Sequence, residues 1–185
     1  MKPRVHDPLR LDVVAFAKEA GRLEGRWPLA GFVRLAESAH AESRPGEADQ
    51  VAWQAQGEQR AQRGGTPQTW LHVGAQAQVQ LECQRCLQPV AVPLAVQRSF
   101  LFAPDEATAA QIDADSDDDV LVLTRALDLH ELVEDELILA LPLVPRHDAC
   151  PEPLALPAEP EEAPAERPNP FAALAALKRG GSGSH

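Results

Sequence analysis

The chain has 185 residues and a mass of 20.0 kDa, the size of one ordinary domain with a tail and too short for two full domains. Hydrophobic residues make up 44% and charged residues 24%, which excludes a wholly disordered or fibrous chain, while 17 prolines, nearly twice the usual ~5%, point to a stretch outside any packed core. The net charge of -11 is unevenly placed: Met1 to Pro104 carries 12 Lys+Arg against 10 Asp+Glu, a net of +2, and from Asp105 onward there are 5 against 18, a net of -13. An acidic protein is a poor non-specific nucleic-acid binder, so any contact with RNA falls to the first half.

The first residues lead into no apolar signal stretch, because Arg10, Asp12, Lys18 and Glu19 interrupt it. No apolar run reaches the ~18 residues of a membrane span. The sequence therefore predicts a cytoplasmic protein with no membrane partner. Between Leu11 and Ala20, Val13, Phe16, Ala17 and Ala20 recur at helical spacing, with Asp12 as N-cap and Gly21 as stop. A second short helix is expected from Pro28, with Leu29, Phe32, Val33 and Ala36 on one face, and the residues from there to Asp49 read as loop.

The period then changes from helical to alternating. Val51, Trp53 and Ala55 alternate with polar or small residues, and Trp70 to Val73 open another extended run. From Ala75 to Cys83 every odd position is apolar and every even one polar, the mark of a half-buried strand. Alternation resumes on even positions at Val90, Val92, Leu94 and Val96, then Phe100 and Phe102, with Pro93 facing outward as an edge strand tolerates. Together these segments predict an α+β fold, an antiparallel meander or partly open barrel with flanking helices, and place Cys83 and Cys86 at a hairpin tip.

The acidic run from Asp113 to Asp119 reads as a solvated loop, since a calcium loop needs Gly sixth and Glu twelfth and Thr124 stands in the twelfth place. Val120 to Leu123 is a short strand. A helix follows from the cap at Asp128 through Leu141, with Leu129, Leu132, Val133, Leu137, Ala140 and Leu141 on one stripe, a capping-box-like Glu131, and Pro142 as terminator. Nine of the 17 prolines lie between Pro142 and Pro170, mixed with acids, a composition that cannot bury enough apolar surface to offset chain entropy. The expected organisation is a single domain over residues 1–150 and a flexible Pro/Glu-rich tail over 151–179 whose end, Asn169 to Arg179, forms a short amphipathic helix. Residues 180–185 read as an appended linker.

Chemistry concentrates in the cysteines. Cys83-Gln84-Arg85-Cys86 on a turn between strands lets two thiolates converge on one metal, and His147 and Cys150 can complete a Cys3His tetrahedron in which zinc staples the segment after the last helix to the hairpin tip. Two other readings stay open: three reduced thiols without metal, and a redox C-x-x-C, which usually sits at a helix N-terminus. No G-x-S-x-G, P-loop, H-E-x-x-H or paired dinucleotide glycines appear, so neither an enzyme nor a small-molecule substrate is expected. Glu134-Asp135-Glu136 reads as a solvated helix face and His130 as surface or cap. Trp53 and Trp70 read first as core, and otherwise as a platform on which RNA bases stack.

These residues carry a family resemblance. Leu81-Glu82-Cys83-Gln84-Arg85-Cys86-Leu87, then Leu132 through Pro142 with Val144-Pro145, His147 and Cys150, and finally Pro168-Asn169-Pro170-Phe171 before Leu174 and Leu177-Lys178, resemble in order the YceD family of large ribosomal RNA subunit accumulation proteins. The resemblance implies a non-enzymatic factor that supports accumulation or maturation of large-subunit ribosomal RNA, with large-subunit RNA or ribosomal proteins as partners. It implies possible metal binding through Cys83, Cys86 and Cys150. His147 and Cys150 stand closer together than in some relatives, which leaves Asp148, Glu82 or a water as alternatives for the fourth position. Other functional readings are a zinc-stabilised acidic adaptor for a basic ribosomal protein, and a thiol oxidoreductase using Cys83 and Cys86.

Overall fold

The structure is a computed structural model that describes residues 5–62, 64–116 and 118–151. The expected tail helix at Asn169 to Arg179 and the linker at 180–185 lie outside the described residues.

Helix α1 (Val13–Lys18) starts where Asp12 accepts a hydrogen bond from the Ala15 N–H at 3.0 Å, and it buries Val13, Phe16 and Ala17. It ends before Gly21. Ala20 takes the left-handed turn (φ 48) and the Gly21 N–H returns to the Phe16 carbonyl at 2.9 Å. Strand β1 (Arg22–Pro28) follows, in a stretch where the sequence shows no strand signal. Its inward residues Leu23, Gly25 and Trp27 are only half-buried and alternate with Arg22, Glu24 and Arg26, so the apolar signal is too thin to read locally. Pro28 therefore closes a strand and does not open a helix. A 3-10 turn, Leu29–Gly31, leads into the short helix α2 (Val33–Glu37). The buried face is Leu29, Phe32 and Leu35; Val33, expected inside, is 62% exposed.

Strands β2 (Gln50–Arg60), β3 (Gln68–Glu82) and β4 (Pro89–Ala103) form an antiparallel meander with β1, in the register Gly25↔Trp53↔Ala75↔Val96. The expected meander is correct to this point; the barrel is not. Among the described residues the sheet has the order β1-β2-β3-β4-β5 and does not close, and β5 (Asp119–Val122) runs parallel to β4. A parallel pair needs a crossover, and α3 (Glu106–Asp115) supplies it. Asp105 caps α3 by accepting from the Thr108 N–H at 2.8 Å, which holds the Asp105 carboxyl below its usual range. The acidic run read as one loop thus begins within the end of α3 and ends on the first residue of β5. Its described acids are exposed, as expected. Pairing with β5 covers only Phe100–Ala103 of β4, so Pro93 does lie on a free edge.

Odd positions of β1, β2 and β3 and even positions of β4 face inward. There Val51, Leu71, Val73, Val79 and Phe100 pack with Phe16, Phe32 and Leu35 into one core. Gly57 lets α1 approach closely: a Cβ there would lie 2.7 Å from the Ala17 backbone. Helix α4 (Leu129–Leu139) closes the core with Leu129, Val133 and Leu137, capped as expected by Asp128. Trp27 stacks on Trp53 at 4.2 Å and His130 on Phe32 at 4.0 Å, so His130 belongs to an aromatic cluster.

The reading of Glu134-Asp135-Glu136 as a solvated face is overturned, because Glu134 and Glu136 are buried. Glu134 Oε1 accepts from the backbone N–H groups of Arg34 (2.8 Å) and Leu35 (3.2 Å), and so caps α2, whose own N-cap Phe32 offers no side-chain acceptor. Glu134 Oε2 accepts from the Arg34 guanidinium at 2.9 and 3.1 Å, and Asp135 at 2.6 Å completes the clamp. Arg98, the one cation among the inward positions of β4, donates to Glu136 at 3.0 Å.

Candidate functional site

Strand β3 ends at Glu82 and β4 begins at Pro89, leaving a tight turn. The Cys83 N–H donates to the Gln88 carbonyl (3.0 Å) and the Leu87 N–H to the Cys83 carbonyl (2.8 Å), with Leu87 in the left-handed region (φ 60). This closure turns both Cys83 and Cys86 inward, where they are buried. His40 holds the turn from outside: its Nε2 bonds the Leu87 carbonyl at 3.1 Å, its Nδ1 accepts from Glu42 N–H, and its own N–H reaches Gln80. Nothing in the sequence pattern singled out His40.

The segment after α4 returns to the same turn. The Gln84 N–H donates to the Pro145 carbonyl at 2.9 Å, which docks the backbone just before His147. His147 Nδ1 lies 3.4 Å from Cys86 Sγ, and Cys83 Sγ lies 3.9 Å from Cys150 Sγ. All four candidate ligand atoms of Cys83, Cys86, His147 and Cys150 fall within 4.8 Å of one another. The edge of a tetrahedron built on Zn–S bonds is about 3.8 Å, so the spacing suits one ion at the centre. His147 Nε2 sits 3.1 Å from the Pro89 carbonyl. Donation there fixes the tautomer that leaves the Nδ1 lone pair facing the thiols, the usual outer-sphere support of a metal-bound imidazole. The residues present can hold a metal ion, and the donor set of three sulfurs and one nitrogen is that of a closed structural site. Of the four ligands the spacing named, the structure brings all four together; Glu82, an alternative for the fourth place, is exposed at the end of β3.

The thiols do not share charge equally. Burial opposes ionisation of Cys83, but N–H donation from Arg85, His147 and Cys86 outweighs it and brings the thiol down to about 5. Burial, then hydrogen bonding and charge repulsion from Cys86 and Cys83, push Cys150 up to about 11. Without a cation the cluster accepts a negative charge readily on Cys83 and resists one on Cys150.

Elsewhere the outer sheet face carries a relay that sequence reading missed. Ser99 Oγ lies 2.8 Å from His72 Nδ1, and Glu58 Oε2 lies 2.7 Å from His72 Nε2. His72 and Ser99 are register partners on β3 and β4, and Glu58 on β2 reaches His72 diagonally, two residues beyond its register partner Gln56. An acyl-transfer site would also need oxyanion donors. Ser99 lies in mid-strand on β4 opposite His72 of β3, not at a turn or helix N-terminus that would gather such donors. Trp53 and Trp70 are both buried, which removes the base-stacking platform; Trp53 belongs to the core, whereas Trp70 lies on the opposite face of the sheet with the Arg60 guanidinium 4.2 Å above its ring.

Residues 71–178 match the family described as Large ribosomal RNA subunit accumulation protein YceD, more than half of the chain. The chain belongs to the YceD family. Its similarity to the Large ribosomal RNA subunit accumulation protein YceD of Haemophilus influenzae is 38% identity over 119 residues, covering 56% of this chain and 62% of that relative. The chain thus spans less than two thirds of the length of this YceD relative. No solved structure matches the chain. The Cys83 turn, α4 and the segment through Cys150 all lie within the residues that match YceD. Among the described residues no helix is long and apolar enough to cross a membrane.

Proposed function

We propose that this chain acts without catalysis, as a cytoplasmic factor that supports accumulation of large-subunit ribosomal RNA by binding that RNA or the proteins on it. The family match motivates the role. The observation that carries the mechanism is the convergence of Cys83, Cys86, His147 and Cys150 across 67 residues of chain. Zinc in this site is structural: four protein ligands leave no open position for water or substrate, so it tethers the segment after α4 to the β3–β4 turn and supplies no reaction. A thiol oxidoreductase is disfavoured because Cys83 is fully buried and Cys86 3% exposed, where a partner disulfide cannot approach. The uneven charge favours contact through the near-neutral first half, with the acidic remainder discouraging wrong anionic partners.

Elemental analysis of purified protein, paired with affinity capture from cells, tests both parts. About one zinc per chain, lost in Cys150→Ser, and recovery of large-subunit particles are expected. Metal-free protein with unchanged stability would remove the clamp, and capture of neither large-subunit RNA nor ribosomal proteins would remove the role.

A further inference from the structure

The outer sheet face is organised in three cross-strand rows. One runs Arg26–Ala52–Gln76–Ala95, the next Glu24–Gln54–Gly74–Gln97, and the third Arg22–Gln56–His72–Ser99. Ala52, Gly74 and Ala95 are small, so the taller glutamines and arginines stand around a hollow of about 620 Å³, continuous through Gln54 and Gly74 with a second of about 480 Å³. The glutamines and both arginines are exposed. Three interstrand spacings make the trough about 14 Å wide, and the four residue steps from Arg22 to Arg26 make it about as long.

Its chemistry selects the occupant. A protein partner needs apolar or aromatic anchors at the centre of its contact, and this surface offers alanine and glycine between amides. Covering those amides with apolar groups would leave each unpaired, at about 1–3 kcal/mol apiece. A basic peptide would find Glu24 flanked by Arg22 and Arg26, which outnumber it and make no ion pair among the described residues, and would find Glu58 already held by Arg60 and His72. Primary amides present a donor and an acceptor each, which suits the mixed edges of unpaired bases, and arginines suit phosphate or stack on a base plane.

We propose that this trough binds single-stranded RNA, with Arg22 and Arg26 on the phosphates and Gln54, Gln76 and Gln97 on base edges. The proposal rests on the reading of the protein as an RNA-accumulation factor that works by binding, and adds where and in which form RNA is held. Few charges and no exposed aromatic ring imply a weak, salt-sensitive contact, of about 1–100 µM.

The test is fluorescence anisotropy of a short labelled single-stranded RNA of mixed sequence, titrated with the full-length protein at low salt. Arg22→Glu combined with Arg26→Glu should weaken binding about tenfold or more. Gly74→Val should do the same by filling the trough; a Cβ there meets no backbone but only the exposed Gln54 side chain, Nε2 at 3.0 Å and Cγ at 3.2 Å, which can swing aside, so the fold should survive. Unchanged thermal unfolding checks that, and the exposed arginine pair stands as the test if the valine variant is unstable. RNA bound equally by wild type and variants, no RNA binding by wild type, or a lysine-rich peptide bound in its place would overturn the proposal. Capture of large-subunit particles separates the two readings: particles recovered equally with wild type and trough variants sink the trough and leave the factor standing.

Discussion

Two long-range ties hold the end of the described chain to earlier parts of the fold, and they differ in what they need. Glu134 reaches across 100 residues to cap α2 and grip Arg34, and every acceptor it offers is met by a donor of the same chain. The cluster of Cys83, Cys86, His147 and Cys150 reaches a similar distance but is complete only around a cation, because three thiolates so close cannot all ionise alone. The first tie forms with the fold in any medium. The second makes the segment from Pro145 to Cys150 report on metal supply, while α4 stays anchored by its own carboxylates.

The sharpest break of this comparison is metal removal. At free zinc a thousandfold above Kd, binding adds about 4 kcal/mol to folding stability. Chelation, or Cys150→Ser, is expected to lower the denaturant midpoint accordingly and to release the Gln84 N–H from Pro145 into fast hydrogen exchange, while amides of α4 keep their protection. Denaturation curves that superimpose with and without chelator would end the distinction between conditional and intrinsic ties.

The second expected effect is smaller. Glu134→Gln keeps the shape but loses the charge against Arg34, whose side chain is half exposed, so about 2 kcal/mol is expected, and about 3 for Glu134→Ala, which also uncaps α2. The loss should be the same with and without chelator. The ties share no residue, so Glu134→Gln with Cys150→Ser should sum within about 0.5 kcal/mol by urea unfolding. A larger coupling would mean that α4 and the metal segment move as one unit.

The contrast also explains what the sequence could reveal. Cys-x-x-Cys between two alternating runs is a local signal for two ligands on a turn, and only two residues separate His147 from Cys150, so the metal cluster was legible. Glu134 was not: in the sequence it looks like the exposed Glu131 one turn earlier, and only Arg34, a hundred residues before it, shows why it is buried. Strand β1 stayed hidden because its pairing with β2 supplies the order that Leu23, Gly25 and Trp27 do not signal themselves. Helix α3 hid among acids, since its start depends on one capping aspartate and its body buries only Ala109. Alternation disclosed β3 and β4 almost to the residue, and the short apolar run at Val120 to Leu123 disclosed β5, though not that it pairs parallel to β4. The outer trough needed the register, because Gln54, Gly74 and Gln97 meet only across strands.

Glu58 supplies the smallest effect and the finest comparison with Glu134, since both carboxylates face an arginine but Glu58 does so in water. The Arg60 guanidinium first, then His72, hold its carboxyl down at about 2, against an ordinary 4.5; Asp118 acts only more distantly, through Arg60. A depressed carboxylate stabilises the fold above its unfolded value and loses that contribution as pH falls. The stabilisation from Glu58 is therefore full above about pH 4.5 and fades between there and about pH 2. With 39% of the side chain exposed, it should amount to roughly 0.2–1 kcal/mol, as for other surface pairs. Urea unfolding of wild type against Glu58→Gln should show that gap near neutrality, narrowing at acid pH and in high salt. A gap that held constant down to the acid limit would mean that Glu58 contributes by shape, and that charge on the open face, unlike charge under α4, does nothing for the fold.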